Sequence, residues 1–314
     1  MKRKNIIIDC DPGQDDAIML LLAFSAPEKL NILGITTVAG NVPLEKTQRN
    51  ARIITELAGI ENIKIYAGCD RPIKKKLITA EYVHGIEGID GAPIFNPKIP
   101  LEEQHAVDFI IETLSLSEDD SITLVPTGPL TNIAQAIKKN PKILNKISEI
   151  VIMGGAMKEG GNTTPSAEFN IYVDPHAAEI VLNAGKPIVI MPLDVTHKVI
   201  TNTEITNRIE KLGNKSGKLV ASMLKFYNRF DEKKYGSDGG PLHDPCTIAY
   251  LLDSELFIGK QVNVSVETKS ELTLGCTSVD FWEVTNKSKN CFWIYDVNKD
   301  GFFDMLLRQI SKLK

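Results

Sequence analysis

Ile6-Ile7-Ile8-Asp9-Cys10-Asp11-Pro12-Gly13-Gln14-Asp15-Asp16-Ala17 is the stretch whose reading decides the fold. Three consecutive Ile residues read as a buried strand. The strand runs into Asp9 and Asp11, whose i, i+2 spacing places both carboxylates on one face of extended chain. Pro12 keeps Asp11 extended, and Gly13 permits a sharp turn. Asp15 and Asp16 then open an apolar run, Ala17 to Leu22, that reads as a helix whose N-terminal dipole favours negative charge. Four acids between positions 9 and 16 repel one another unless a cation gathers them, and hard ions such as Ca²⁺ or Mg²⁺ take oxygen ligands of this kind.

The same alternation continues outward. Strands are expected at Ile32–Val38, Ser121–Pro126, Glu149–Met153 and Pro187–Pro192, and helices at Asp15–Ser25, Leu44–Ala58, Ala106–Leu116 and Leu130–Lys139. Short apolar strands separated by helices predict an α/β fold, an open and mostly parallel sheet covered by helices on both faces. Ligands of such sheets sit outside the carboxyl ends of the strands, here Asp9 and Asp11, Asn41, Thr127, Gly154 and Asp194. Tyr82–Pro100 and Gly160–Tyr172 read as long loops. The C-terminal third is less regular, with helices near Ser216–Arg229 and Pro245–Leu252, strands near Val262–Val266 and Phe292–Tyr295, and a final helix. No repeat, linker or low-complexity segment breaks the chain, so residues 1–314 are expected to form one domain.

Composition narrows the function. Hydrophobic residues make up 43% and charged residues 24%, values of an ordinary globular protein. A net charge of −4 leaves no electrostatic footprint for nucleic acid or an anionic membrane. The five Cys form neither a disulfide framework nor a CxxC pair. No apolar run is long enough for a bilayer, and the first residues do not read as a signal peptide, so a cytoplasmic protein is expected.

Two further segments carry polar side chains suited to chemistry. Gly239 to Cys246 places a His243-Asp244 pair at the start of a helix, where a capping Asp alone is the plainer reading. Asn162 to Asn170 offers two amides and Glu168, donors and acceptors that match the hydroxyls of a sugar. Phosphate-binding glycine loops are missing, and no Lys or Arg adjoins these corners, so an uncharged polyol fits better than a phosphate. Asp296 to Gly301 imitates an EF-hand loop but has Leu307 where the closing Glu belongs. Asp9-x-Asp11 also evokes aspartyl-phosphate phosphatases, whose signature differs at Gly13.

Asp9-Cys10-Asp11-Pro12-Gly13-x-Asp15-Asp16-Ala17 resembles the signature of the inosine–uridine-preferring nucleoside hydrolases. The resemblance extends through Thr37 to Asn41, His84-Gly85, Val125 to Asn132, Met153 to Gly155, Ala167 to Asn170 and His243-Asp244. It implies hydrolysis of the N-glycosidic bond of ribonucleosides such as uridine, cytidine or inosine, with one bound Ca²⁺ and a homodimeric or homotetrameric assembly. By position, Asp11, Asp16, Asp244 and the Thr127 carbonyl would hold the ion. Asp15, Asn41, Asn162, Glu168 and Asn170 would hold the ribose, beside Met153. His84 and His243 would lie on the base side, with Tyr227 and Tyr235 as candidate base contacts. Asp11 would act as general base toward water and His243 as acid toward the leaving base. The His pair resembles the pyrimidine- or mixed-preference members. The alternative, a non-catalytic nucleoside-binding protein on the same scaffold, would require a missing carboxylate, and none is missing.

Overall fold

A computed structural model describes residues 3–314. Its centre is an eight-stranded sheet: β1 (Lys4–Cys10), β2 (Leu30–Thr37), β3 (Ile65–Ala67), β4 (Ile122–Pro126), β5 (Ile147–Met153), β6 (Ile188–Met191), β7 (Phe257–Val262) and β8 (Cys291–Val297). The spatial order is β3-β2-β1-β4-β5-β6-β8-β7. Every neighbouring pair is parallel except β7 with β8, so β7 forms an antiparallel edge. The chain builds outward from β1 to β3, then returns to place β4 on the other side of β1. That reversal opens a crevice at the carboxyl ends of β1 and β4, the position where such sheets bind ligands.

Alternation along each strand divides the core into two layers. Ile6, Ile8, Val125 and Val151 pack with α1 (Gln14–Phe24), α2 (Leu44–Leu57), α6 (Lys215–Tyr235), α7 (Pro245–Leu252) and α8 (Lys299–Ile310). Ile7, Leu124, Ile150 and Ile152 pack on the other face with α3 (Ala106–Ser115), α4 (Thr131–Lys139) and α5 (Pro175–Leu182). Every residue of α1 is buried, so this helix is apolar all round rather than amphipathic. Its first turn therefore carries Asp15 and Asp16 into the interior.

The sequence expectation of a mostly parallel, doubly covered sheet agrees with this architecture. Differences are local. The stretch expected as one strand, Val262–Val266, breaks at Asn263: its second half, Val264–Val266, leaves the sheet to pair with Thr277–Val279. The expected loop Tyr82–Pro100 begins inside a short helix, Glu81–His84, and Gly160–Tyr172 runs into another, Phe169–Val173. The imitation EF-hand is a helix start, where the Asn298 carboxamide caps the Gly301 amide of α8.

Asp9 separates from the other acids because β1 ends at Cys10 and alternation no longer governs Asp11. The Asp9 Oδ1 accepts from Thr36 Oγ1 at 2.6 Å and Asn132 Nδ2 at 2.8 Å, all fully buried. Asn132 also donates to the Thr37 carbonyl and accepts from the Cys69 amide. This amide thus ties β1, β2, the loop after β3 and α4 together beneath the crevice. Burial lifts the Asp9 carboxyl to about 7 against the pull of these donors. Asn132→Ala is expected to lower the unfolding free energy by about 1–3 kcal/mol, read from the chemical denaturation midpoint; a variant as stable as the parent would remove this network from the account of the fold.

Candidate active site

Three segments bring carboxylates to the floor of the crevice. Asp11 follows β1, Asp15 and Asp16 open α1, and Asp244 precedes α7. Oxygens of Asp15, Asp16 and Asp244 lie within 4.8 Å of one another. Asp16 is held by three donors: the Gly13 amide at 3.0 Å, Asn41 Nδ2 at 3.2 Å and Thr127 Oγ1 at 2.8 Å. Asp11 accepts from the Asn41 amide at 2.7 Å through Oδ2. Its Oδ1, and Oδ1 of Asp15, are buried without any donor. Glycines make room for Asp11: a Cβ on Gly40 would come within 2.1 Å of Oδ2, and one on Gly128 within 2.7 Å of Oδ1.

Burial raises the carboxyls of Asp11, Asp15, Asp16 and Asp244, and repulsion from their acidic neighbours adds to the rise for Asp11, Asp15 and Asp244. A divalent cation would relieve both effects. Anionic oxygens with no donor, beside the Thr127 carbonyl, form a hard-oxygen donor set that fits Ca²⁺ or Mg²⁺. The closest trio includes Asp15, which the family resemblance assigns to ribose, while Asp11 stands beside it.

Above this floor opens a cavity of about 470 Å³. Asp15, Asn41, His84, Thr127, Met153, Asn162, Glu168, Asn170, Tyr227, His243 and Asp244 line it. Asp11 and Asp16 lie wholly buried beneath. The Tyr235 side chain lies outside the described residues. Among the described residues, no Lys or Arg lines the cavity.

The amide-rich wall is rigid. Glu168 caps the helix Phe169–Val173, accepting from the amides of Asn170 at 2.8 Å and Ile171 at 3.2 Å, and also from Gly155 at 3.0 Å. Burial nevertheless lifts its carboxyl to about 7. Asn170 Nδ2 donates to the carbonyls of Thr127 and Met153, and the Asn162 carboxamide accepts from the Phe169 amide.

The opposite wall is aromatic. His84 stacks on Tyr227 with centroids 5.5 Å apart, and Tyr82 meets Phe230 at 5.7 Å. Gly13 permits the approach of His84, since a Cβ there would fall 2.4 Å from its Nδ1. Burial, aided by the Arg229 charge, lowers His84 to about 3. Burial and two neighbouring imidazoles, His197 and His84, depress His243 as well.

Sequence reasoning missed Tyr82, Glu159, His197, Phe230 and Asp231, which also line the cavity. No spacing rule singles them out, since each reaches the cavity only through packing of α6 and the loops. Asp194, expected at a site-forming strand end, instead accepts from the amides of Met157 and Lys158 and holds the loop after β5. Trp293 of β8 packs beside Gly155, where an added Cβ would come within 3.1 Å of its ring.

Residues 6–304 match the model of a family described as inosine-uridine preferring nucleoside hydrolase. An uncharacterized protein of Schizosaccharomyces pombe is 49% identical over 308 residues, spanning 98% of this chain and 99% of its own. The pyrimidine-specific ribonucleoside hydrolase RihA of Photobacterium profundum is 44% identical over 307 residues, covering 98% of each chain. Among solved structures, the purine-preferring ribonucleoside hydrolase from Gardnerella vaginalis is similar at a TM-score of 0.91 and 34% identity, with 98% of each chain covered. The chain belongs to the inosine-uridine preferring nucleoside hydrolase family and is an N-glycosyl hydrolase of ribonucleosides.

Proposed function

We propose that the protein is a Ca²⁺-dependent hydrolase that splits uridine and cytidine, and inosine more slowly, into ribose and free base. The observation that carries this reading is the set of donorless carboxylate oxygens on Asp11 and Asp15 beneath a cavity walled by amides on one side and imidazoles on the other. The preference for pyrimidines rests on the 44% identity to RihA, a pyrimidine-specific enzyme by name.

Asp11, Asp16, Asp244 and the Thr127 carbonyl would hold the cation, with Asp15 turned toward it and the sugar. Bound there, Ca²⁺ would supply positive charge that neutralises the acids and attracts the oxygens of water and sugar. Asp11 Oδ1 takes the proton of the attacking water. Asn41, Glu168, Asn170 and Asn162 grip the ribose hydroxyls, fixing the ring over that water, and Met153 packs against the sugar. The buried carboxylates stabilise the positive charge that develops on the sugar as the base departs. His243 meets the departing base as its acid-side partner, its ring N–H hydrogen-bonding to the negative charge that develops there. Tyr227 and Phe230 flank the base and exclude bulk water.

Reducing sugar should appear from uridine and cytidine without added phosphate, faster than from inosine or adenosine. A strict need for phosphate would make the protein a phosphorylase, and faster turnover of purines would reverse the assigned preference. Asp11→Asn should lower kcat by at least about 10²–10⁴-fold with the thermal unfolding midpoint preserved; retention of near-parental turnover would strip Asp11 of its role as base. Exhaustive chelation should abolish turnover and lower Tm, and added Ca²⁺ should restore both. Full activity in the chelated protein, or restoration by Mg²⁺ but not Ca²⁺, would refute the calcium assignment.

A further inference from the structure

The two imidazoles that line the cavity, His84 and His243, are each anchored through Nδ1, but to partners of opposite hydrogen-bonding character. His84 Nδ1 lies 2.8 Å from Gln14 Oε1. The orientation of that carboxamide is fixed, because its Nε2 donates to the carbonyls of His84 at 2.8 Å and Asp90 at 3.1 Å. The atom facing His84 is therefore an oxygen, which only accepts. His84 must carry its proton on Nδ1, leaving Nε2 as a bare lone pair.

His243 Nδ1 lies 2.7 Å from the hydroxyl of Thr196, a fully buried residue. Among the described residues, that hydroxyl has no other hydrogen-bond partner. If His243 donated from Nδ1, the hydroxyl proton would be stranded in the interior, at the cost of an unsatisfied buried donor. If the hydroxyl donates instead, both groups are satisfied and the imidazole proton sits on Nε2. A ring protonated on both nitrogens would strand the same hydroxyl proton, so the contact with Thr196 leaves His243 a single proton, on Nε2.

We infer that Thr196 and Gln14 are positioning residues that lock His243 and His84 into opposite tautomers, so that the base meets one fixed donor, Nε2–H of His243, and one fixed acceptor, Nε2 of His84. The kinetic side of this inference rests on the role of His243 proposed above; the tautomers themselves do not. A donor aimed at the base strengthens its hydrogen bond as the glycosidic bond breaks and electron density moves onto the base. The His84 lone pair, in turn, matches a ring N–H or an exocyclic amino group.

Selective ¹⁵N labelling of histidine in the calcium-loaded protein reads both rings directly, since a protonated and a bare ring nitrogen resonate far apart. The expected spectrum shows His84 protonated at Nδ1 and His243 at Nε2. The same tautomer for both rings, the reverse assignment, or averaging at His243 would overturn the inference. Thr196→Val, which keeps the shape and removes the hydroxyl, should release the His243 lock. It should also lower the kcat ratio of uridine to p-nitrophenyl riboside, whose leaving group needs no proton, by at least about tenfold. Thr196→Ser should restore both readouts; a Ser variant as impaired as Val would overturn the role of the hydroxyl. A released lock with an unchanged ratio would support the positioning of the ring and overturn His243 as the acid.

Discussion

Mutual repulsion among carboxylates that the fold has taken out of water is the constraint on which this molecule depends. Asp11, Asp15, Asp16 and Asp244 are buried together, and each is pushed away from ionisation. Isolated buried charge is costly, so such a cluster persists only where the surrounding structure enforces it. Enforcement comes from the reversal of strand order beside β1, which lets the loops after β1, β2 and β4 converge, and from the fully buried α1 that delivers its first turn inward. The amides of Gly13 and Asn41 and the Thr127 hydroxyl satisfy one side of the cluster. The donorless oxygens are left for a cation, so in the proposed reading ion binding and folding stability are linked.

The site has two parts of different origin. Its floor and amide wall grow from strand ends and from caps of short helices, and backbone hydrogen bonds fix them. Its aromatic wall comes from the helix Glu81–His84, from α6 and from the segment before α7. There, ring contacts such as His84 on Tyr227 add to the short backbone pairing of Ile200 and Thr201 with Gly240 and Pro241. A mechanism that needs a stable oxyanion-rich floor for the sugar and a shaped wall for the base maps onto this division.

Much of this was legible in the chain because period and punctuation agreed with the final packing. The three Ile of β1 alternate between the two core layers as their spacing demands, and Pro12-Gly13 marks the turn that follows. The sequence offered Asp244 as a helix cap or as a further metal carboxylate; its side chain makes no capping hydrogen bond, and only the fold shows it beside those of Asp15 and Asp16. The separation of Asp9 from its neighbours was not legible, because it follows from the strand ending one residue before Asp11. Nor were Phe230 and Asp231, brought to the cavity by α6, or His197, brought there by the turn of helix that follows β6. Likewise Thr196 carries no motif; its relation to His243 exists only in three dimensions.

The aromatic wall has a consequence for divergence within the family. Because it hangs on surface helices rather than on strand ends, a lineage can remodel its appetite for one nucleobase or another by exchanging a few rim side chains. The carboxylates and amides that hold the sugar, fixed at the strand ends, lie outside that wall, whereas His243 belongs to it and ties the base side to the chemistry. Taste for the base can therefore drift at Tyr82, Tyr227 and Phe230 only where such changes leave His243 in place.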